Sequence, residues 1–548
     1  MERPIISISD GKIQGITRES VLGKKYLAFT GIPYAQPPLG HLRFKEPQIP
    51  AKWSGILDAS KRTNDMATQY QTSGPRPWKV IGNEDCLYLN VYTNAIAHKR
   101  PVMFYIHGGG FVEGSGNHWI YGEDYFVTMD LLLVSVNYRL GPLGFMNLGH
   151  KVAPGNQGLR DILYALKWVQ QNIEAFGGDP ENVTIFGNSS GSVASHLLTL
   201  LPAAKGLFHK AILQSGTAFG LRHLLKENTK KPFLNGFKIA TLFGCDSDDP
   251  IEVVEFLRSV PAEKLVSVEH HLSTKWENVI LGRCDYGPVI DARFCEDPLI
   301  PAPLGQLLQN DTNIPIIIGN TINEDLLGFA GLCEDEEHFS FYDDHIDNII
   351  RNSLMLNNSG ETDKIIEHIK EYYLKNQRIS PKTVWNLINL LTHLTVNFDR
   401  KVIDLRNGHA KAPTYVYRFS YCGNEPTFYS YDEGPQPVKG VAHADELSYM
   451  FHISYMKADG TFTKCPEEGS ADRMTLERFV RMWFNFAATG NPTPKTDSHY
   501  VTTIWKPTTP EHLYYLDIGD HLVLKDDRDS PDWIIYKQFR KNYLGLNL

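Results

Sequence analysis

The stretch VTIFGNSSGSVASHLLTL, residues 183–200, changes period abruptly. Strand-type residues Val183 to Phe186 run into Gly-Asn-Ser-Ser-Gly, and helical spacing resumes from Ser192 onward. A chain that passes from strand to helix within five residues has no room for an ordinary loop. Gly187 and Gly191 frame Ser189 as Gly-x-Ser-x-Gly, a pattern that lets backbone pack closely on both sides of a sharp bend and leaves the serine at its tip. The competing explanation is a polar glycine loop that matches a five-residue pattern by accident, and the frame alone does not separate the two.

The flanking sequence narrows the choice. PVMFYI (101–106) and LLLVSV (131–136) are apolar runs of buried-strand length, each followed by glycine turns, and GLRDILYALKWVQQNIEAF (158–176) carries apolar residues at helical spacing. HKAILQSG (209–216) and NIPIIIGN (313–320) again read as strands that reach glycine at a turn, with helices expected over 363–375 and 474–489. Between GGDPEN and the bend, a turn and then a short strand over Val183–Phe186 are expected. Strands alternating with helices imply an α/β chain whose large, mainly parallel sheet is covered on both faces.

The length of 548 residues would suggest two to four domains, yet no repeat, low-complexity tract or long Pro/Gly linker marks a boundary. The balance of 54 Lys plus Arg against 63 Asp plus Glu argues against a nucleic-acid surface. No apolar stretch approaches the roughly 18 residues of a membrane span. Seven widely spaced cysteines without a C-x-x-C pair argue against a metal site or a disulfide framework. The start, MERPIISISDGKIQG, reads as a first strand and not as a secretory signal, so the expected setting is cytoplasmic, or secreted if a signal was removed before this numbering begins.

A serine hydroxyl is a poor nucleophile at neutral pH and needs a base, a group to orient the base, and donors for the oxyanion. On the strand–turn–helix scaffold these come in a set order: oxyanion glycines upstream, then the serine, an acid and a histidine. YIHGGGF supplies Gly109 and Gly110 after a buried strand, and their N–H groups with that of Ser190 are the candidate oxyanion donors. IIIGNTINEDLLG places Glu324 just past a strand, with Asp325 as its immediate rival. KGVAHADELSYMF places His443 in a loop before an apolar, helix-like segment.

Read together with FTGIPYAQPPLGHLRFKEP (29–47), NEDCLYLNVY (83–92), VNYRLGPLGF (136–145), AFGGDPENVTIFG and FNFAATGNPTP (484–494), these residues make the chain similar to the carboxylesterase/cholinesterase family, the type-B carboxylesterases of the α/β-hydrolase fold. Within it the chain most resembles insect general esterases of the alpha type. The resemblance implies one α/β-hydrolase domain over residues 1–548, a large mainly parallel central sheet flanked by helices and carrying helical insertions. It also implies Ser189 as nucleophile, Glu324 as acid, His443 as base, structural ion pairs Arg43–Glu84 and Arg139–Asp161, and a supporting role for Ser215. The implied activity is hydrolysis of small to medium apolar carboxylic esters through an acyl-serine, with no metal or organic cofactor and with organophosphate-type compounds as inhibitors. Two other roles are a slow-turnover esterase that sequesters toxic esters and a noncatalytic binding module, which typically loses triad members that this chain keeps.

Several positions depart from the family pattern. Asn188 and Ser190 fill the elbow where Glu or His and then Ala are usual, and an uncharged residue at 188 leaves His443 easier to deprotonate if the two lie close. Cys86 and Cys245 lack the cysteines with which their family counterparts pair, Phe256 standing where the second partner is expected. Phe219 is the one aromatic near the position where many relatives wall the acyl pocket with Trp. Trp78 is the only Trp in the early loop, which disfavours choline specificity.

Overall fold

The computed structural model describes residues 3–61, 65–71, 79–221, 224, 234–268, 272, 286–308, 313–329, 336–356, 359–427, 438–456, 464–497, 499–530 and 533–535. Trp78 lies outside the described residues. Eleven strands among them form one sheet. In chain order these are β1 (Ile16–Glu19), β2 (Lys25–Pro33), β3 (Tyr88–Thr93), β4 (Arg100–Ile106), β5 (Leu132–Val136), β6 (Gly178–Asn188), β7 (Lys210–Gln214), β8 (Ile316–Thr321), β9 (Thr414–Phe419), β10 (Tyr514–Ile518) and β11 (Leu522–Asp526). Their order across the sheet is β11-β10-β9-β8-β7-β6-β4-β5-β3-β2-β1. The central strands β4 to β10 run parallel, and antiparallel pairs flank them on both sides. The first strand expected at Ile5 lies outside this sheet, in a three-stranded one.

The continuous apolar runs follow from burial on both faces. Val102, Phe104 and Ile106 of β4 enter one hydrophobic cluster, while Met103 and Tyr105 enter the other. Ile316 and Ile318 of β8 likewise part from Ile317. The period of two is present but hidden, because both sets of side chains are apolar. The first cluster is covered by α1 (Gln157–Asn172), α2 (Ser190–Leu200) and, further along the chain, α3 (Glu336–Ser353), α4 (Gly360–Leu374) and α5 (Val384–His409). α6 (Ala471–Thr489) covers the second with Phe479, Trp483 and Phe486.

Element boundaries shift by a few residues from the sequence reading, most at the start of β6. β6 begins at Gly178, because Gly178 pairs with Arg100 and Val183 with Val102, so the residues expected as a turn form an irregular section of the strand itself. The segment after His443 is a short 3₁₀ helix, Asp445–Tyr449.

The two ion pairs stand as the resemblance implied. Arg43 Nε donates to Glu84 Oε1 at 2.6 Å, and Arg139 grips Asp161 through Nε at 2.8 Å and Nη2 at 2.7 Å. Asp161 has no exposed surface, so removing Arg139 would leave a carboxylate uncompensated in the interior. Arg139→Leu is therefore expected to cost about 3–5 kcal/mol of stability, read from the denaturant midpoint at constant slope. An unchanged midpoint would contradict that role. Cys86 and Cys245 are free thiols, Cys86 fully buried.

Candidate active site

Parallel strands deliver their carboxyl ends to one edge of the sheet, and the chemistry collects there. β4 ends at Ile106, before His107-Gly108-Gly109-Gly110, and β6 ends at Asn188, before Ser189. β7 ends at Gln214, before Ser215, and β8 ends at Thr321, before Glu324.

Ser189 adopts φ 57°, ψ −127°, a conformation that an L-residue holds only when its surroundings enforce it. A Cβ at Gly187 would lie 2.5 Å from the Ile106 carbonyl oxygen, and one at Gly191 would lie 2.1 Å from the same atom. Only glycines on both sides let β6 and α2 close against β4, so the bend and the position of Ser189 are fixed by packing. Ser189 N–H donates to Gln214 O at 2.9 Å, and its carbonyl accepts from Val193 N–H in the first turn of α2.

The glycine loop lies directly beside it. A Cβ at Gly108 would sit 3.1 Å from Ser189 Cβ. Gly109 and Gly110 have φ 112° and 62°, and their N–H groups donate to no other group among the described residues. Ser190 is the first residue of α2, where an N–H has no acceptor within the helix. His107 is buried against Tyr138, with ring centroids 4.4 Å apart, and burial lowers its pKa to about 4, so it is neutral.

Glu324 is 4% exposed and opens a 3₁₀ helix, Glu324–Phe329. Its Oε2 lies 2.5 Å from His443 Nδ1, while Oε1 accepts from Ser215 Oγ at 2.7 Å and from Thr321 N–H at 2.6 Å. Burial opposes its charge, but the His443 ring and these donors outweigh burial and hold its pKa below the usual value. For His443 burial is the largest single effect and lowers its pKa, but the Glu324 carboxylate, together with Glu446 and Asp325, raises it overall. Asp325 points elsewhere, accepting from Thr395 Oγ1 at 2.8 Å. The rivalry between the two carboxylates is resolved geometrically in favour of Glu324 as the partner of His443. Gly216 ties this pair to the elbow, since a Cβ there would lie 3.2 Å from Ser189 O.

Asn188 does not face a void. Its Nδ2 donates at 3.3 Å to Glu446 Oε1, which also accepts from Gln214 Nε2 at 3.2 Å and Tyr417 OH at 3.3 Å. Glu446 has no exposed surface, and burial raises its pKa to about 7. The sequence reading missed this carboxylate, although its place three residues after His443 was a usable signal. Phe219 has no exposed surface, and its ring stacks at 6.4 Å on His196 of α2.

Comparison with known proteins shows the family to which the chain belongs. The sequence profile described as Carboxylesterase family matches residues 2–532. Esterase FE4 of Myzus persicae is 34% identical over 525 residues, covering 92% of this chain and 87% of that protein. Juvenile hormone esterase of Tribolium castaneum is 33% identical over 521 residues, covering 90% and 84%. The crystal structure of juvenile hormone esterase from Manduca sexta, with OTFP covalently attached, superposes with a TM-score of 0.81 at 28% identity over 99% of both chains.

Proposed function

The chain belongs to the carboxylesterase family and is a carboxylic-ester hydrolase of α/β-hydrolase fold, and on that premise we propose that it works through an acyl-serine intermediate on small to medium apolar esters. The observation that carries the reading is the convergence of a strained Ser189, the unengaged N–H groups of Gly109 and Gly110, and the Glu324–His443 pair on one sheet edge. Ser189 Oγ attacks the ester carbonyl as His443 takes its proton, and the oxyanion is received by the N–H groups of Gly109, Gly110 and Ser190. Glu324 fixes the imidazole with Nδ1 protonated, leaving Nε2 as the base. His443 then protonates the leaving alcohol, and water repeats the sequence to release the acid. The covalently held OTFP of the Manduca enzyme supports a covalent route.

A panel of aryl esters from acetate to hexanoate, assayed on purified protein, tests the substrate class. Steady turnover of all of them at neutral pH is expected. A single burst with no following turnover would instead mark a sequestering esterase.

Charge near His443 gives a further test. Glu324, Glu446 and Asp325 all favour its protonated form. Asn188→Glu adds another carboxylate next to Glu446, so the imidazolium is stabilised further and the neutral base appears only at higher pH. The acid limb of the kcat/KM profile should move upward by a fraction of a unit to about one unit. Superimposable acid limbs would show that position 188 does not communicate with His443.

A further inference from the structure

Glu324 and His443 stand 119 residues apart in the chain, and their 2.5 Å contact lasts only while the two backbones keep their relative place. Neither residue lies inside a strand: β8 stops at Thr321, and 440–444 is a loop that leads into the 3₁₀ helix Asp445–Tyr449. Asn323, the residue before the acid, spans the gap twice. Its N–H donates to Val441 O at 3.1 Å, and its Oδ1 accepts from Val441 N–H at 3.1 Å. One residue thereby engages both backbone groups of another, as paired residues of an antiparallel ladder do, so the loop cannot slide along the strand end without breaking a bond. Two residues on, His443 N–H donates to Glu324 O over a longer 3.3 Å. The approach is close: a Cβ at Gly440 would lie 3.0 Å from Asn323 Oδ1 and 2.6 Å from Leu326 Cδ2.

Other side chains hold this loop, but from other directions. Asp445 Oδ2 accepts from Ala442 N–H at 2.8 Å, a brace within the His443 segment itself. Cys422, just beyond β9, donates its thiol to Gly440 O at 3.4 Å, three residues before the histidine. Asn323 is the brace that comes from the acid's own segment. Its Nδ2 donates to no group among the described residues, so the side chain serves there as an acceptor alone. A carboxylate of the same shape could accept the Val441 bond equally well.

We infer that Asn323 is a positioning residue for ester hydrolysis: through its paired bonds to Val441 it holds His443 where Glu324 can orient the imidazole as base. The inference rests on the catalytic reading of the Glu324–His443 pair. Asn323 acts through the loop and not on the reacting atoms. Its leverage is geometric, since a base misplaced by about 1 Å can cost on the order of 10²-fold in rate.

Two substitutions at this position, each followed by pH–rate profiles on one aryl ester with the full chain, test the clamp. Asn323→Ala removes the Oδ1 acceptor and is expected to lower the plateau kcat about tenfold with KM unchanged. Its acid limb in kcat/KM should move to lower pH by a fraction of a unit, because the Glu324 carboxylate raises the His443 pKa and a loosened pair raises it less. The other acids around the ring, Glu446, Asp325, Asp399 and Asp445, are left as they are in this variant. Asn323→Asp keeps the acceptor and adds a negative charge, so its plateau kcat should stay within about twofold of the parent while its acid limb moves to higher pH. A general loosening of the fold does not shift the limb in opposite directions from one position. Parent-like kcat in Asn323→Ala, an unmoved acid limb in that variant, or equal loss of kcat in both variants would each overturn the inference. Glu324→Gln in the same assay separates the two readings: full turnover there would remove the catalytic reading, whereas a crippled Glu324→Gln beside an unaffected Asn323→Ala would count against the clamp alone.

Discussion

Ser189→Ala is expected to lower kcat for aryl-ester hydrolysis by at least about 10³-fold while leaving the thermal midpoint near that of the parent chain. The loss is large because no neighbouring hydroxyl can take over. Ser190 Oγ is buried, and Ser192 Oγ is committed to the Gly216 carbonyl at 2.5 Å. Only Ser189 stands at the tip of a bend held open by Gly187 and Gly191. Its contacts that hold the bend are backbone ones, so alanine keeps them. An organophosphate should accordingly label the Ser189 peptide alone, and a label on Ser190 or Ser192 would move the nucleophile.

Glu324→Gln is expected to cost about 10³–10⁴-fold in kcat, and Asp325→Asn only a few-fold. Glu324 meets three donors, from His443, Ser215 and Thr321, with two acceptor oxygens. An amide offers one acceptor oxygen and turns two hydrogens toward groups that are themselves donors. Either the imidazole flips to the wrong tautomer or a buried hydrogen bond is lost. Asp325 meets a threonine hydroxyl that an asparagine oxygen can still satisfy. Kinetics of the two variants on one ester suffice, and the reverse ranking would transfer the acid's role to Asp325.

The parts legible in the sequence are those that local sterics dictate. A glycine frame between strand and helix can be read because any Cβ at Gly187 or Gly191 would strike the Ile106 carbonyl, and the apolar runs of β4 to β8 can be read because both faces of those strands are buried. The choice between Glu324 and Asp325 could not be made locally. Adjacent residues point in different directions at the start of a 3₁₀ helix, and which one meets His443 depends on a loop more than a hundred residues away. Glu446 was hidden for the same reason: its partners Asn188, Gln214 and Tyr417 come from three different strands. For Phe219 the sequence showed an aromatic close to Ser215 and not the ring it stacks on, His196 of α2.

The central claim is that an acyl group passes through Ser189. Rapid-quench mass spectrometry of the full chain with an aryl butyrate tests it most directly. The expected result is a transient mass increase of one butyryl group, on the peptide containing Ser189, that forms with the first equivalent of released phenol and decays at the steady-state rate. Turnover at full rate with no such adduct, or with the adduct on another residue, would contradict it.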